Sequence, residues 1–123
     1  MATKTGGGAQ HLSVQESKNI QLGQLGSMST DSGSPAITPP TGTVFIAIQV
    51  LYGSVKFDST TGLIAEDPDK YINTAQASSA SGGTGGEAID NTVEFPAGIT
   101  LYGRWTSIDI YSGIHGVIAY IGV

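Results

Sequence analysis

The sequence predicts an all-β domain, an antiparallel β-sandwich or a jelly-roll-like small barrel, preceded by an extended N-terminal arm. Three observations carry this reading. From position 44 onward, short runs of β-branched and aromatic residues recur between Gly, Pro, Ser and Asp at near-regular spacing. No segment repeats apolar residues at helical spacing over a useful length. The last 29 residues, Phe95 to Val123, carry only two charged side chains, Arg104 and Asp109, yet never run apolar long enough to cross a membrane as a helix.

Residues 1–43 read as an arm and 44–123 as the β-sandwich domain. Gly6, Gly7 and Gly8 are followed by polar sequence with isolated Leu12, Val14, Ile20, Leu22 and Leu25, and the stretch from Ser27 to Pro40 is rich in Ser, Gly and Pro. Too little apolar area is available for such a segment to order itself, so it is expected to be flexible or to lie on a partner, with Ile20, Leu22 and Leu25 as its contact residues. The Pro39-Pro40 pair blocks helix and starts the domain extended.

Thr43 to Leu51 then alternates Val44, Ile46, Ile48 and Val50 on one face with Phe45, Ala47, Gln49 and Leu51 on the other. Both faces are largely apolar, which predicts a central strand. Gly53 breaks it, Ser54 to Asp58 forms a short strand, and Asp58-Ser59-Thr60-Thr61-Gly62 has turn composition, so a hairpin to Leu63-Ile64 is expected. In Asp67-Pro68-Asp69-Lys70-Tyr71-Ile72, a capping residue precedes Pro at a first helical position, which predicts one or two helical turns. Ser78 to Glu87 is a glycine-rich loop. The final segment supplies strands around Thr92–Phe95, Ile99–Trp105, Ile108–Tyr111 and Gly116–Ile121. In the second of these, Ile99, Leu101, Gly103 and Trp105 share the expected core face, and Thr100, Tyr102, Arg104 and Thr106 the opposite one.

Composition narrows the function. Charged residues make up 12% of the chain, while Gly, Ser and Thr fill 44 of 123 positions, so the surface is mostly hydroxyl, amide and backbone. That suits a protein packed against copies of itself or against a larger particle. A net charge of −5, with Lys4, Lys18, Lys56, Lys70 and Arg104 scattered, excludes a nucleic-acid partner, which would need clustered cations to neutralise phosphates. The absence of cysteine excludes a disulfide framework and a thiolate metal site. No window matches a membrane-spanning helix and MATKTGGGAQ lacks the apolar stretch of a secretory signal, so synthesis in the cytosol with no membrane partner is expected.

Candidate chemistry is sparse. Gly82-Gly83-Thr84-Gly85-Gly86 is followed by Glu87-Ala88 where a phosphate-binding loop would need Lys and Ser or Thr, so no nucleotide cofactor is expected. His11 and His115 are the only histidines; His115, Asp109 and a serine are compatible with a triad, but no GxSxG motif marks the serine. Glu66, Asp67 and Asp69 match no cation-binding loop and read as a solvated acidic turn. No catalytic residue, cofactor or metal follows from this, and a non-enzymatic protein is expected. Arg104 stands out as the only arginine, placed beside Trp105 in the least charged part of the chain; a bidentate pair with a carboxylate of another strand or subunit fits it, with stacking on Tyr102 or Trp105.

The run Phe95-Pro96-Ala97-Gly98 followed by Ile99-Thr100-Leu101-Tyr102-Gly103-Arg104-Trp105-Thr106-Ser107, then a hairpin and a short terminal strand, resembles the C-terminal end of small virion structural proteins of tailed bacteriophages, notably marine and cyanobacterial phages. The resemblance implies a capsid decoration (cement) protein or a related head or tail appendage, commonly a homotrimer on the capsid surface with the major capsid protein as partner. In that setting Tyr102, Arg104 and Trp105 are the expected intersubunit or ligand contacts, and Ile20, Leu22 and Leu25 the capsid-contacting part of the arm. The alternative is a receptor- or glycan-binding module of a fibre or spike, in which exposed Trp105 and nearby tyrosines stack on sugar rings.

Overall fold

The computed structural model describes residues 24–32, 35–76, 82–112 and 116–123. Among them eight strands form: β1 (Ser27–Asp31), β2 (Val44–Tyr52), β3 (Ser54–Phe57), β4 (Leu63–Ala65), β5 (Phe95–Pro96), β6 (Thr100–Ile108), β7 (Ile110–Ser112) and β8 (Gly116–Gly122). They build two antiparallel sheets, one ordered β1-β8-β2-β6-β4 and the other β5-β3-β7. Val55, Phe57 and Ile110 of the smaller sheet meet Phe45, Ile48, Val50, Leu63, Trp105, Ile108, Val117 and Ala119 of the larger one in a single core, which makes the fold a β-sandwich. Phe57 and Phe95 add an edge-to-face ring pair at 5.6 Å.

β2 is the middle strand of the larger sheet, as its two apolar faces require. Its alternation, however, is not the simple one expected. Phe45 pairs with Ile121 of β8 while Ala47 pairs with the very next residue, Tyr120, so Ile46 is an extra residue in β2. This bulge switches the faces. Phe45, Ile48 and Val50 point into the core, and Ala47 and Gln49 point out, so the expected grouping of Val44 and Ile46 with Ile48 and Val50 is corrected.

From β2 to β8 the chain changes sheets between every two consecutive strands, and three of these crossings have a visible local cause. Gly53, at φ 68, adopts the left-handed conformation that bends β2 into β3. Asp58–Gly62 carries β3 into β4, and Asp109 carries β6 into β7. The expected hairpin between Ser54–Asp58 and Leu63-Ile64 therefore does not form: the turn is present, but its two strands belong to different sheets. The two latter crossings are stitched together. The Asp58 amide donates to the Asp109 carbonyl at 3.1 Å, the Asp109 amide to the Gly62 carbonyl at 2.8 Å, and the Thr61 hydroxyl to Asp109 Oδ2 at 2.7 Å.

Within that corner Asp58 Oδ1 accepts from the Thr60 amide at 2.8 Å, the Thr61 amide at 3.0 Å and the Thr61 hydroxyl at 3.3 Å. These bonds, the Thr60 amide first, hold the Asp58 carboxyl below its ordinary range. A carboxyl lowered by folding contributes stability that is present above its unfolded value, about pH 4, and lost as pH falls through its lower folded value. Urea midpoints should therefore drop between neutral pH and about pH 3, and Asp58→Asn should flatten that acid limb. A variant whose acid limb matches the wild type would show that the corner does not depend on this charge.

Around the edge strand β4, the loop following Ala65 folds on Asn73. This buried side chain donates to the carbonyls of Pro68 (2.9 Å) and Tyr71 (2.8 Å) and accepts from the amides of Ala75 (3.0 Å) and Gln76 (2.9 Å). Thr74 then covers the outer edge of β4, its amide donating to the Leu63 carbonyl at 3.0 Å. The helical turns expected from Asp67 amount to one turn, closed by the Tyr71 amide donating to the Asp67 carbonyl at 3.0 Å and not continued, because Asn73 captures the carbonyls that a helix would use. At the other edge of the sheet lies β1, while Ile37 bridges Ile108 of β6; both come from the segment assigned to the arm, so the sheet reaches back past the expected boundary at residue 43.

Candidate functional site

The register of the larger sheet sets side chains into rows on the face turned away from the core. Ser27, Tyr120, Ala47 and Tyr102 form one row across β1, β8, β2 and β6. Ser29, Ile118, Gln49 and Thr100 form the next. None of these eight side chains is charged. Tyr102 is 67% exposed, Ile118 and Tyr120 are half-buried, and the Tyr120 hydroxyl lies 3.4 Å from Gln49 Oε1. The result is a flat, uncharged surface with aromatic and aliphatic groups at its centre, bounded at one end by Arg104 and Glu66 and at the other by Asp31.

Arg104 is held within the chain. Its Nε donates to Glu66 Oε1 at 2.6 Å, its Nη2 to Glu66 Oε2 at 3.2 Å, and its Nη1 to the Val123 backbone oxygen at 2.9 Å. The geometry is the bidentate fork that a planar guanidinium forms with a carboxylate, and the partner is Glu66, at the end of β4 in the same subunit. The hydrogen bond and charge of Arg104 hold the Glu66 carboxyl below its ordinary range, and Glu66 in turn raises Arg104. With its donors used this way, Arg104 borders the uncharged surface and fixes β4 to β6.

Two residues expected at contacts lie elsewhere. Trp105 is fully buried, with its indole N–H donating to the Ile72 carbonyl at 2.8 Å, and so is a core residue, not a surface contact. Leu25 packs against the core, just before β1, so it is not available as the capsid-contacting residue it was expected to be. Ile20 and Leu22 lie outside the described residues, as do His11 and His115. Ile99, expected in the core, is 36% exposed because β6 starts one residue later and Ile99 closes the Pro96–Gly98 turn, its amide donating to the Pro96 carbonyl at 3.4 Å. Leu101 does pack against the core, and Gly103 lies beneath the Trp105 ring.

The acidic residues have structural work. Glu66 pairs with Arg104, Asp67 Oδ1 accepts from the Asp69 amide at 3.1 Å, and Asp69 Oδ1 accepts from the Gln76 side chain at 2.6 Å. Among the described residues no group of three or more His, Cys, Asp or Glu side chains converges on a point that could hold a metal. Asp109, a candidate triad member, serves the corner between the sheets. Asn73 and the Ile118–Tyr120 pair were not singled out from the sequence. The latter had a signal, since Ile118 and Tyr120 alternate with core Val117, Ala119 and Ile121. No protein-family model, curated protein or solved structure matches this chain, so its functional reading rests on its own residues.

Proposed function

We propose that this chain is a non-enzymatic structural protein that decorates and stabilises a bacteriophage capsid, acting as a homotrimer bound to the major capsid protein. The observation that carries the reading is the uncharged outer face of the larger sheet, with Tyr102, Ile118 and Tyr120 at its centre. Aromatic residues with few charges around them are what the buried centre of a subunit interface uses. The low overall charge and the phage-like C-terminal segment point the same way. β6 and β8 are both flanked by other strands, so self-association uses their faces and not their edges. With Trp105 buried, the glycan-binding alternative loses its tryptophan and keeps only the nearby tyrosines.

Light scattering on the purified chain should give the mass of a trimer, and mixing with undecorated capsids should leave it bound to the shells. Tyr102→Glu places a charge at the centre of the face and should shift the protein to monomer while leaving its melting temperature within a few degrees, since Tyr102 supports no core contact. A wild-type chain that is monomeric and leaves capsids bare would overturn the proposal.

A further inference from the structure

One row beyond Ser29, Ile118, Gln49 and Thr100, the register aligns Asp31, Gly116 and Tyr52 across β1, β8 and β2. The middle member has no side chain. Neighbouring strands lie about 4.8 Å apart, so Asp31 and Tyr52 stand about 10 Å apart at their backbones across Gly116, and the Tyr52 ring overhangs the glycine within the gap between them. The gap is a cleft of about 320 Å³ whose walls also include Ser29, Thr30 and Leu51. Sites for small ligands begin at about this size, near 300 Å³.

The cleft has a specific structural origin. Val50 pairs with Val117 but Tyr52 pairs with Gly116, so Leu51 is an extra residue in β2. That bulge turns Tyr52 onto the outer face. A Cβ at Gly116 would lie 3.1 Å from Tyr52 Cε1 and 3.3 Å from its hydroxyl, so the ring leans over the glycine, yet Tyr52 stays 50% exposed. The ring is thus backed on one side and open on the other.

We propose that this cleft binds a neutral pyranose sugar, an assignment independent of the capsid-decorating role. An open tyrosine face stacks against the C–H face of a sugar ring. A carboxylate accepts hydrogen bonds from adjacent sugar hydroxyls, and Ser29 adds a hydroxyl group to the wall. Among the described residues no Lys or Arg lines the cleft, which disfavours phosphate or a sugar acid. A single ring is also a poor cage for an ammonium ion, whose recognition draws on several aromatic faces.

The test is an amide-resolved NMR titration of the full chain with the methyl glycosides of glucose, galactose and mannose, run beside tetramethylammonium. Saturable shifts at Tyr52, Gly116 and Val117 with at least one glycoside are expected, weakened about tenfold or more by Tyr52→Ala and abolished by Gly116→Val, whose side chain displaces the Tyr52 ring. Tyr52→Ala removes an exposed ring, so its spectrum should remain that of the folded protein. Three results would each overturn the proposal: no saturable shift at tens of millimolar glycoside, shifts unchanged in Tyr52→Ala, or a response to tetramethylammonium alone. Tyr102 lies two rows away, so Tyr102→Glu should preserve the glycoside shifts whatever it does to assembly, and the two proposals fail separately.

Discussion

Trp105→Ala is expected to destabilise the domain by about 4 kcal/mol, a large part of the total for a chain of this size. The side chain is fully buried and stands at a junction: Phe45 of β2 and Ala65 of β4 are both in register with it, and its ring covers the backbone of Gly103. Removing it leaves a cavity between three strands that Gly103 cannot fill, and it also strips the Ile72 carbonyl of its donor. Trp105→Phe should cost less, about 1–3 kcal/mol, because most of the apolar volume stays while the carbonyl is still orphaned. Urea unfolding followed by far-ultraviolet circular dichroism measures both, since the single tryptophan is the residue replaced. Were Trp105 a surface contact, as its place beside Arg104 suggested, the alanine variant would fall within about 0.5 kcal/mol of the wild type. The same result bears on function, because a binding defect in Trp105→Ala would report lost folding and not a lost contact.

How this residue was misplaced shows where the sequence is readable. Period-two alternation put Trp105 on the core face with Leu101 and Gly103, and the structure agrees. Its role as a contact was inferred from residue type, and residue type does not reveal that the loop after β4 would supply a carbonyl to the indole. The position of β2 at the centre of its sheet was legible for the same reason as the core face of β6: apolar residues on both sides of a strand leave no solvent face. What alternation cannot show is a bulge, because one extra residue alters no composition and yet exchanges the faces. The bulge at Ile46 moved Val44 and Phe45 out of the expected groups, and the bulge at Leu51 created the position of Tyr52.

The candidate surface was legible only in part for a related reason. Tyr102 was identified from its strand, but the rows that surround it join residues as distant in the chain as Ser27 and Tyr120, and only the strand order brings them together. Arg104 was expected to form a bidentate pair with a carboxylate of another strand or subunit; Glu66 fills that place within the chain, and nothing local in the sequence chooses Glu66 over its acidic neighbours Asp67 and Asp69. The turn chemistry of Asp58–Gly62 was equally plain, but whether such a turn returns a strand to its own sheet or hands it to another depends on Asp109, far along the chain.

That corner gives the second large effect. Gly62→Ala is expected to cost about 3 kcal/mol or more, because a Cβ there would overlap the Asp58 carbonyl oxygen and sit 2.6 Å from the Asp58 nitrogen and 2.7 Å from Phe57 Cβ. Two of the three obstacles are backbone, so no rotamer change relieves them. Opening the turn would break the bond from the Gly62 amide to the Asp58 carbonyl at 3.0 Å and loosen the one from Asp109 to Gly62, uncoupling two of the places where the chain changes sheets. Gly98→Ala is the matched comparison: Gly98 has φ 91 but open space around it, so alanine there meets only the backbone cost of a left-handed residue, about 1–2 kcal/mol. Thermal or urea melts of the two variants should therefore separate clearly, with Gly62→Ala the less stable and its amides from Asp58 to Leu63 losing protection against hydrogen exchange. Equal losses in the two variants would mean that the close approach at Gly62 relaxes easily and that the corner does not hold the sheets together.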